Sequence, residues 1–319
     1  MAIHSGRAIW SAEMNGEWHL QIHYVGTNGL LPLQKLSTQQ VNLRHFTIHP
    51  SPKTTMVSDT RIESTIAPPD HFISVQGLCK SFAGQPLYQD FNLDLPNNQL
   101  VSIFGPNGCG KSTLINMISG LIPCDRGEIR INGKPIRRAR IGYVFQNYRD
   151  SMFPWLSAYD NIAYPLRTKG VPEKECRDRI DRLLSTFNIR LDLKRYPYSF
   201  SGGQQQLVSI LRALVADPEV LFLDEPFSAL DFETTLFVRD KLQEIFMATS
   251  IPMLMVVHNL EEAVFLADTI LLLSKRPTHL VEAVSFKVPR PRTPDTLTSP
   301  EFIEVSRHCL DIFRQEMRK

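Results

Sequence analysis

The sequence has few cysteines, and none of them form a pattern typical of a disulfide framework or a zinc site. The 319 residues include five cysteines, an odd number, without a C-x-x-C pair. Sparse and unpaired cysteines suit a reducing compartment. We therefore exclude a disulfide-stabilised secreted domain and a cysteine-based metal site.

Long hydrophobic runs and a strong net charge are also missing. No apolar stretch approaches the about 20 residues of a membrane span, and the N-terminus lacks the charged start and apolar core of a secretion signal. A formal net charge of +2 gives no general electrostatic case for binding nucleic acid. Internal repeats and heptad arrays are absent. With 43% apolar residues, the chain can bury one large core or two smaller ones.

Residues 1–70 differ in composition from the rest and hold five of the nine histidines. The alternating run EWHLQIHYV (17–25) is typical of a strand, whereas the polar, proline-punctuated residues 51–70 predict a disordered linker. Neither the spacing nor cysteine partners favour a metal site for the histidines. We expect an N-terminal extension of unknown role, partly disordered. A later start of translation, for instance at Met56, is the other interpretation.

An α/β pattern begins at His71. FISVQGLCKSF (72–82) and LYQDFNLDLP (87–96) alternate like two antiparallel strands. Short apolar runs typical of buried parallel strands follow, namely LVSIF (100–104), IGYVF (141–145), VLFLD (220–224), MLMVV (253–257) and TILLLS (269–274). Helical periodicity between Lys174 and Leu191 indicates an insertion before residue 200. The sequence therefore predicts an α/β fold whose mixed sheet has a parallel core.

The segment GPNGCGKST (105–113) matches the phosphate-loop pattern G-x-x-x-x-G-K-[ST], with a strand before it and a helix after it. Its glycines let the backbone turn so that N–H groups point inward at phosphate oxygens. Lys111 is expected to reach the β- and γ-phosphates, and the Ser112 hydroxyl to ligate Mg²⁺. The predicted nucleotide-binding residues of this loop are Gly105, Pro106, Asn107, Gly108, Cys109, Gly110, Lys111, Ser112 and Thr113.

Two carboxylates stand at the end of another buried strand, in VLFLDEP (220–226). Ligands of parallel α/β sheets bind at the carboxyl ends of the strands, where the phosphate loop also lies. Asp224 therefore suits Mg²⁺ through water, and Glu225 can orient or deprotonate an attacking water.

These features together resemble the ATP-binding subunit of an ATP-binding-cassette (ABC) transporter, over about residues 72–275 and more loosely to the C-terminus. FSGGQ (200–204) is similar to the family signature L-S-G-G-Q, and SALD (228–231) to its D-loop. The resemblance implies an ABC-type phosphate-loop domain with an antiparallel β subdomain and a helical subdomain.

The resemblance also assigns roles to single residues. Phe82 matches the aromatic residue that stacks on adenine, Gln146 the Q-loop glutamine that reaches metal and attacking water, and His258 the switch histidine near the γ-phosphate. The implied catalytic residues are Glu225, His258 and Gln146, and the implied metal ligands are Ser112, Gln146 and Asp224. The implied nucleotide contacts outside the loop are Phe82, Ser201, Gly202, Gly203, Gln204 and Asp231.

In the family, the signature of one subunit caps the ATP held by the other, so the resemblance implies a head-to-tail dimer with two shared sites. Small residues permit close approach there, and N–H groups at a helix start attract the γ-phosphate. The implied partners are a second ATPase subunit (identical or related), transmembrane permease subunits and a substrate-binding protein, with no nucleic acid. The implied cofactors are ATP and Mg²⁺. The implied location is peripheral, on the cytoplasmic face of the inner membrane.

Finer similarity points to the importer branch for nitrate, sulfonate, taurine and bicarbonate, through FPWLSAYDNIAYPL (153–166), VFLADTILLLSKRP (264–277), PRPR (289–292) and SPEF (299–302). An importer of a non-anionic solute such as a pyrimidine precursor stays open. An ABC ATPase that acts on DNA or ribosomes is the other alternative. It is disfavoured because the chain carries one cassette and no coiled coil.

The sequence departs from the family pattern at several points. Phe200 replaces a leucine, Leu207 an arginine and Asn259 an aspartate, while NYRDSMFPW (147–155) is about two residues longer than the common form. We expect three parts, with residues 1–70 followed by the ATPase domain (71–275, helical subdomain about 147–215). The third part is a C-terminal tail (276–319), whose Lys287, Arg290 and Arg292 indicate a solvated surface segment.

Overall fold

The computed structural model describes residues 6–12, 18–24 and 72–318. The chain divides into two units, residues 1–63 and 64–319. In the first unit, Gly6–Ala12 (β1) and Trp18–Tyr24 (β2) pair as antiparallel strands. The strand predicted from the alternation in residues 17–25 is confirmed. The predicted linker, residues 51–70, lies outside the described residues.

The second unit contains both strands and helices. Its strands are Ile73–Phe82 (β3), Gln85–Leu95 (β4), Leu100–Phe104 (β5), Arg126–Ile131 (β6), Lys134–Pro135 (β7), Ile141–Val144 (β8), Val220–Asp224 (β9), Met253–Val256 (β10), Thr269–Leu273 (β11) and Leu280–Ser285 (β12). Its α-helices are Lys111–Ile118 (α1), Tyr148–Ser151 (α2), Ala158–Arg167 (α3), Glu173–Thr186 (α4), Gly202–Leu214 (α5), Phe232–Thr249 (α6), Leu260–Leu266 (α7) and Pro300–Arg318 (α8). Within the described ranges, no helix has the length and apolar character needed to cross a membrane.

A six-stranded sheet runs through this unit in the order β12-β11-β5-β10-β9-β8. Neighbours from β11 to β8 are parallel, and β12 pairs antiparallel with β11. Strands β5 and β9 are buried at every position, as expected for parallel strands covered on both faces. The predicted mixed sheet with a parallel core is confirmed. The carboxyl ends of β5, β9 and β10 meet at one edge, which brings the phosphate loop, Glu225 and His258 to the same side.

Alternating side chains of the buried strands divide the core into two layers. In β5, Val101 and Ile103 join the cluster that contains β3, β4 and α1, whereas Leu100 and Phe104 join the cluster that contains α5 to α8. A four-stranded antiparallel sheet, in the order β4-β3-β6-β7, belongs to the first layer. The antiparallel pair predicted from residues 72–96 is therefore confirmed as β3 and β4.

Helices α2 to α5 form the insertion between β8 and β9, at the position predicted for the helical subdomain. The buried Asn161 of α3 accepts a hydrogen bond from the Phe153 N–H at 2.9 Å. Its amide also donates to the carbonyls of Phe153 and Leu156, at 3.1 Å each. One side chain thus satisfies the backbone of the connection that precedes α3, which is the proline-tryptophan segment noted in the sequence.

The C-terminal residues are integrated into the fold, so the expectation of a solvated tail was wrong for two of its arginines. Arg292 is 2% exposed and donates to the carbonyls of Phe265 at 2.8 Å and Ala267 at 2.7 Å. These carbonyls end α7 and have no partner within that helix, so the guanidinium satisfies them. Arg290 forms a half-buried ion pair, whereas Lys287 is exposed as expected.

Candidate active site

The predicted phosphate loop turns between the end of β5 and the start of α1. Gly110 has a φ of 104°, and a Cβ there would lie 2.9 Å from the Leu87 side chain. Both the backbone conformation and the packing therefore require glycine at this position. Lys111 is the first residue of α1, so the unpaired N–H groups of the first helical turn face the loop.

The Lys111 ammonium lies inside the loop. Its Nζ donates to the carbonyls of Gly105 at 2.9 Å and Pro106 at 3.1 Å, and the residue is only 5% exposed. The Cys109 N–H donates to the same Pro106 carbonyl at 3.3 Å. The Lys111 ammonium and the Cys109 N–H thus both point at the Pro106 carbonyl. Donors are gathered inside the loop, as anion binding requires. The Cys109 thiol is buried, which raises its pKa.

Asp224, the last residue of β9, contacts the first turn of α1. The Ser112 Oγ donates to Asp224 Oδ1 at 3.0 Å. Burial raises the pKa of the Asp224 carboxyl, although the hydrogen bond from Ser112 opposes this. The Tyr143 hydroxyl lies 3.4 Å from Asp224 Oδ2 and 2.6 Å from Asn116 Oδ1. The sequence interpretation missed Tyr143 and Asn116. A hydroxyl inside the buried run IGYVF was the available signal, because a buried hydroxyl needs a partner.

Glu225 is contacted on both carboxylate oxygens. The Gln146 Nε2 donates to Oε2 at 2.6 Å, and the His258 Nε2 contacts Oε1. Glu225 has a φ of 48°, in the left-handed region that non-glycine residues rarely adopt, and its N–H donates to the Val256 carbonyl at 3.0 Å. The structure therefore brings together the three predicted catalytic residues around a carboxylate that is 8% exposed.

Two clefts open beside these groups. One, of about 780 Å³, is lined by loop residues 105–108 and His258, together with Phe104, Lys275 and two residues of α8. The other, of about 630 Å³, is lined by Gln146, Asp224 and Tyr143 among others. The remaining loop residues lie at the surface, with Asn107 exposed and Thr113 partly exposed. The first cleft gives a ligand access to both the loop and His258.

The SGGQ segment starts α5 as a capping box. Ser201 accepts from the Gln204 N–H at 3.4 Å, and the Gln204 side chain accepts from the Ser201 N–H at 3.1 Å. A Cβ on Gly202 would lie 2.8 Å from the Tyr148 hydroxyl, and a Cβ on Gly203 would collide with the Thr234 methyl. Other groups do approach these glycines closely, as expected, but they are the side chains of Tyr148 and Thr234 in the same chain. Within residues 72–318, no hydrogen bond joins this segment to the phosphate loop.

Two predicted nucleotide contacts have local partners. Phe82 ends β3 with 49% of its surface exposed, and Lys80 Nζ lies 5.3 Å from its ring centroid. Asp231 caps α6 by accepting from the Thr234 N–H at 2.9 Å and its hydroxyl at 2.8 Å, which lowers the pKa of Asp231. Their contacts with a nucleotide stay predictions.

The departures from the family pattern have structural explanations. Leu207 is 2% exposed within the hydrophobic core, and Phe200 is 6% exposed, so both are apolar core residues. Asn259 caps α7 by accepting from the Glu261 N–H at 2.9 Å, as an aspartate could. The segment that was expected to be longer than usual contains the short helix α2.

Comparison with known proteins decides the family. A family model described as ABC transporter matches residues 88–228. The taurine import ATP-binding protein TauB of Escherichia coli O157:H7 is 34% identical over 255 residues, covering 76% of this chain and 98% of that protein. The chain belongs to the ABC transporter family. The aliphatic sulfonates import ATP-binding protein SsuB of Bacillus licheniformis is 37% identical over 227 residues, covering 70% and 86%.

Solved ABC structures are similar in fold. The structure of cbiO1 from Clostridium perfringens, part of the ABC transporter complex cbiONQ, superimposes with a TM-score of 0.62 over 77% of this chain and 98% of that one, at 24% identity. The dimeric structure of MJ0796, a bacterial ABC transporter cassette, gives 0.60 over 68% and 100%, at 28% identity. The expected ABC-type phosphate-loop fold is confirmed, and the chain is an ATP-binding ABC ATPase.

Proposed function

We propose that this chain is the ATP-hydrolysing subunit of an importer for a small anion. It works as a dimer, peripherally, on the cytoplasmic face of the membrane. The observation that carries the hydrolytic part is the position of Glu225 between Gln146 and His258, at the sheet edge that also holds Asp224 and the phosphate loop. Few reactions other than nucleotide hydrolysis use a phosphate loop together with a carboxylate that two side chains hold in place.

Each residue has a distinct part in hydrolysis. Lys111 and the inward N–H groups bind the β- and γ-phosphates and stabilise the charge that develops on them. Glu225 accepts the proton of the attacking water, and Gln146 orients the carboxylate from one side. His258, half exposed on the other side, contacts the same carboxylate and reaches the γ-phosphate when ATP is bound.

The site's donors fit Mg²⁺. The Ser112 hydroxyl and the Asp224 carboxylate lie 3.0 Å apart, and both are oxygen ligands of the kind that Mg²⁺ prefers. In the part of the chain that the structure describes, no cluster of three or more His, Cys, Asp or Glu residues could hold a metal by itself. Ser112, Asp224 and Gln146 would therefore hold the ion only together with phosphate oxygens. The ion, when bound, neutralises charge on the β- and γ-phosphates.

The signature segment supports a shared site between two subunits. The capping box uses the N–H groups of Ser201 and Gln204, which leaves those of Gly202 and Gly203 at the helix start. These two N–H groups, with the positive end of α5, suit the γ-phosphate of a nucleotide bound to another subunit. The dimeric structure of MJ0796 is consistent with such an assembly.

Exposed aromatic side chains on the helical subdomain support a permease partner. Trp155 is 70% exposed and Tyr164 is 42% exposed, and both rings pack against Phe153. A cluster of exposed aromatic rings is typical of a protein contact surface. The cluster follows Gln146 closely in the chain, so a partner bound there is placed to influence the catalytic carboxylate.

The solute is inferred from the relatives alone. One relative is named for taurine and the other for aliphatic sulfonates, and both solutes carry a sulfonate group. We therefore propose an organosulfonate delivered by a separate binding protein. The test below distinguishes this solute from other anions and from a neutral pyrimidine precursor.

The experiment is purification of the tagged chain from its native membranes, followed by ATPase assays of the recovered complex with its binding protein. We expect a multi-span permease to copurify, and taurine or an alkanesulfonate to raise the ATPase rate more than nitrate or uracil. Lys111→Ala is the matched control, since it should keep the permease and lose hydrolysis. Recovery with ribosomes or DNA would contradict the transport role. Stimulation by nitrate or uracil alone would contradict only the solute.

A further inference from the structure

The outer side of the phosphate loop is held by three side chains. The carbonyls of residues 108–110 accept, in that order, from Arg276 Nε at 2.6 Å, the Thr278 hydroxyl, and the Tyr88 hydroxyl at 3.0 Å. Tyr88 is completely buried and Thr278 is 2% exposed. Arg276 and Thr278 lie 168 and 169 residues from their acceptors, in the connection between β11 and β12.

These contacts act on the phosphate-binding face through the geometry of the peptide bond. The C=O and N–H groups of one trans peptide are coplanar and point in opposite directions. A carbonyl held outward at Gly108, Cys109 or Gly110 therefore turns the next N–H inward. The structure shows this for the first peptide, because the Cys109 N–H points at the Pro106 carbonyl inside the loop.

The connection that supplies two of the donors is itself fixed. The Thr278 N–H donates to the Leu87 carbonyl at 2.8 Å, and the Ser274 N–H donates to the His279 carbonyl at 3.0 Å. The connection is therefore a firm support against which the loop is held, rather than a mobile segment that follows the loop.

We propose that Arg276, Thr278 and Tyr88 are positioning residues, which orient the loop's N–H groups for the phosphates of ATP. The proposal rests on ATP binding at this loop. The three contacts should contribute unequally to ATP affinity. The Cys109 carbonyl is buried with Thr278, whereas the Gly110 carbonyl also accepts from the Leu114 N–H at 2.8 Å. Loss of the Thr278 hydroxyl should therefore have the largest effect, and loss of the Tyr88 hydroxyl the smallest.

The test is ATP affinity and steady-state ATPase of the full chain carrying Thr278→Val, Thr278→Ser, Arg276→Ala or Tyr88→Phe. We expect Thr278→Val to raise Kd and KM for MgATP about tenfold, the size expected for one lost hydrogen bond at a buried carbonyl. Thr278→Ser, which keeps the hydroxyl, should restore the parent affinity. At saturating ATP, kcat should stay within about twofold of the parent, because only binding geometry is changed.

Lys287→Ala is the matched control. It removes a positive charge from an exposed side chain that lies near Gln99 and Asp268, at the edge of the sheet opposite the phosphate loop. Parent-like affinity is expected for this variant. The proposal is overturned if Thr278→Val keeps the parent Kd, if it lowers kcat with KM unchanged as a folding defect would, or if Lys287→Ala weakens ATP binding as much as Arg276→Ala. A parent chain that binds no ATP overturns this proposal and the proposed function together.

Discussion

The side-chain amide of Gln146 donates to Oε2 of Glu225 at 2.6 Å, although 79 residues separate them along the chain. The pair joins the end of β8 to the end of β9, and His258 at the end of β10 contacts the second carboxylate oxygen. Three neighbouring parallel strands thus deliver one polar group each to the same point. The carboxylate is held in one orientation before any water is bound, which is the preorganisation that general-base catalysis requires.

The first prediction concerns His258. His258→Ala should lower kcat by roughly 10²-fold or more with a smaller change in KM, because a group that acts on the reacting γ-phosphate supports the chemical step. The chain offers a matched control in His308, whose Nε2 lies 2.8 Å from Glu282 on the exposed face of α8. His308→Ala should keep the parent kcat. If both variants lost kcat equally, the assignment of a catalytic role to His258 would be wrong.

A second prediction follows from the packing of Gly203 against Thr234. Gly203→Ala should destabilise the fold by about 1–3 kcal/mol, because the added Cβ collides with the Thr234 methyl in a buried contact. Thr234→Ser removes that methyl and keeps the hydroxyl that bonds Asp231. Urea unfolding of the double variant should therefore show recovered stability. A double variant as unstable as Gly203→Ala would refute the steric explanation.

A third prediction concerns Leu207, which stands where the family commonly has arginine. Leu207→Arg should destabilise the chain by several kcal/mol, on the order of 3 or more, because it puts a charge at a core position that is 2% exposed. Leu207→Met, which conserves volume, should cost less than about 1.5 kcal/mol. Thermal unfolding measures both. A stable Leu207→Arg variant would mean that the charge finds a partner that the core of this chain does not show.

The fourth prediction is a pH dependence that arises from Glu262 of α7. Burial, with a smaller contribution from Glu261, raises the pKa of Glu262 to about 7, while Arg239 opposes the shift. The pKa of a glutamate in the unfolded chain is about 4.3. Between pH about 4.3 and about 7, Glu262 is therefore more protonated in the folded state than in the unfolded state, and the free energy of unfolding falls as pH rises through this range. Glu262→Gln abolishes this loss.

Its stability relative to the parent should therefore increase from about pH 5 to about pH 8, the range that brackets the raised pKa. Urea unfolding at several pH values measures the difference. Glu304→Gln, which changes an exposed glutamate of α8, is the control and should show no such trend. A pH-independent gap between Glu262→Gln and the parent would contradict the assignment.

The parallel core and the phosphate loop could be predicted because their signals are local. Runs such as LVSIF and VLFLD have four apolar residues in five, and GPNGCGKST carries its chemistry in nine consecutive residues. Glu225 could be predicted from its place at a strand end, whereas Gln146 and His258 could be predicted only through the resemblance to a family. No sequence feature near Gln146 or His258 indicates that strands β8, β9 and β10 are neighbours in the sheet.

The supporting contacts could not be predicted, because they join distant residues without a pattern of their own. Arg276 meets Gly108 across 168 residues, and Arg292 caps the end of α7 from a proline-rich segment. Basic residues among prolines are usually solvated, so the buried arginine was misassigned. The packing of the SGGQ glycines against Tyr148 and Thr234 likewise has no local signal in the sequence.

The central claim is that two subunits share each ATP, with Glu225 as the base. The most direct test is light scattering of Glu225→Gln after chromatography with MgATP, alone and combined with Ser201→Arg. The first variant should bind ATP, hydrolyse it at least about 10²-fold more slowly than the parent, and elute at twice the chain mass. Adding Ser201→Arg should return it to a monomer that still binds ATP, and Ser201→Ala shows how much the lost cap alone contributes. Hydrolysis at the parent rate by Glu225→Gln, or an ATP-bound dimer that persists with Ser201→Arg, would contradict the account.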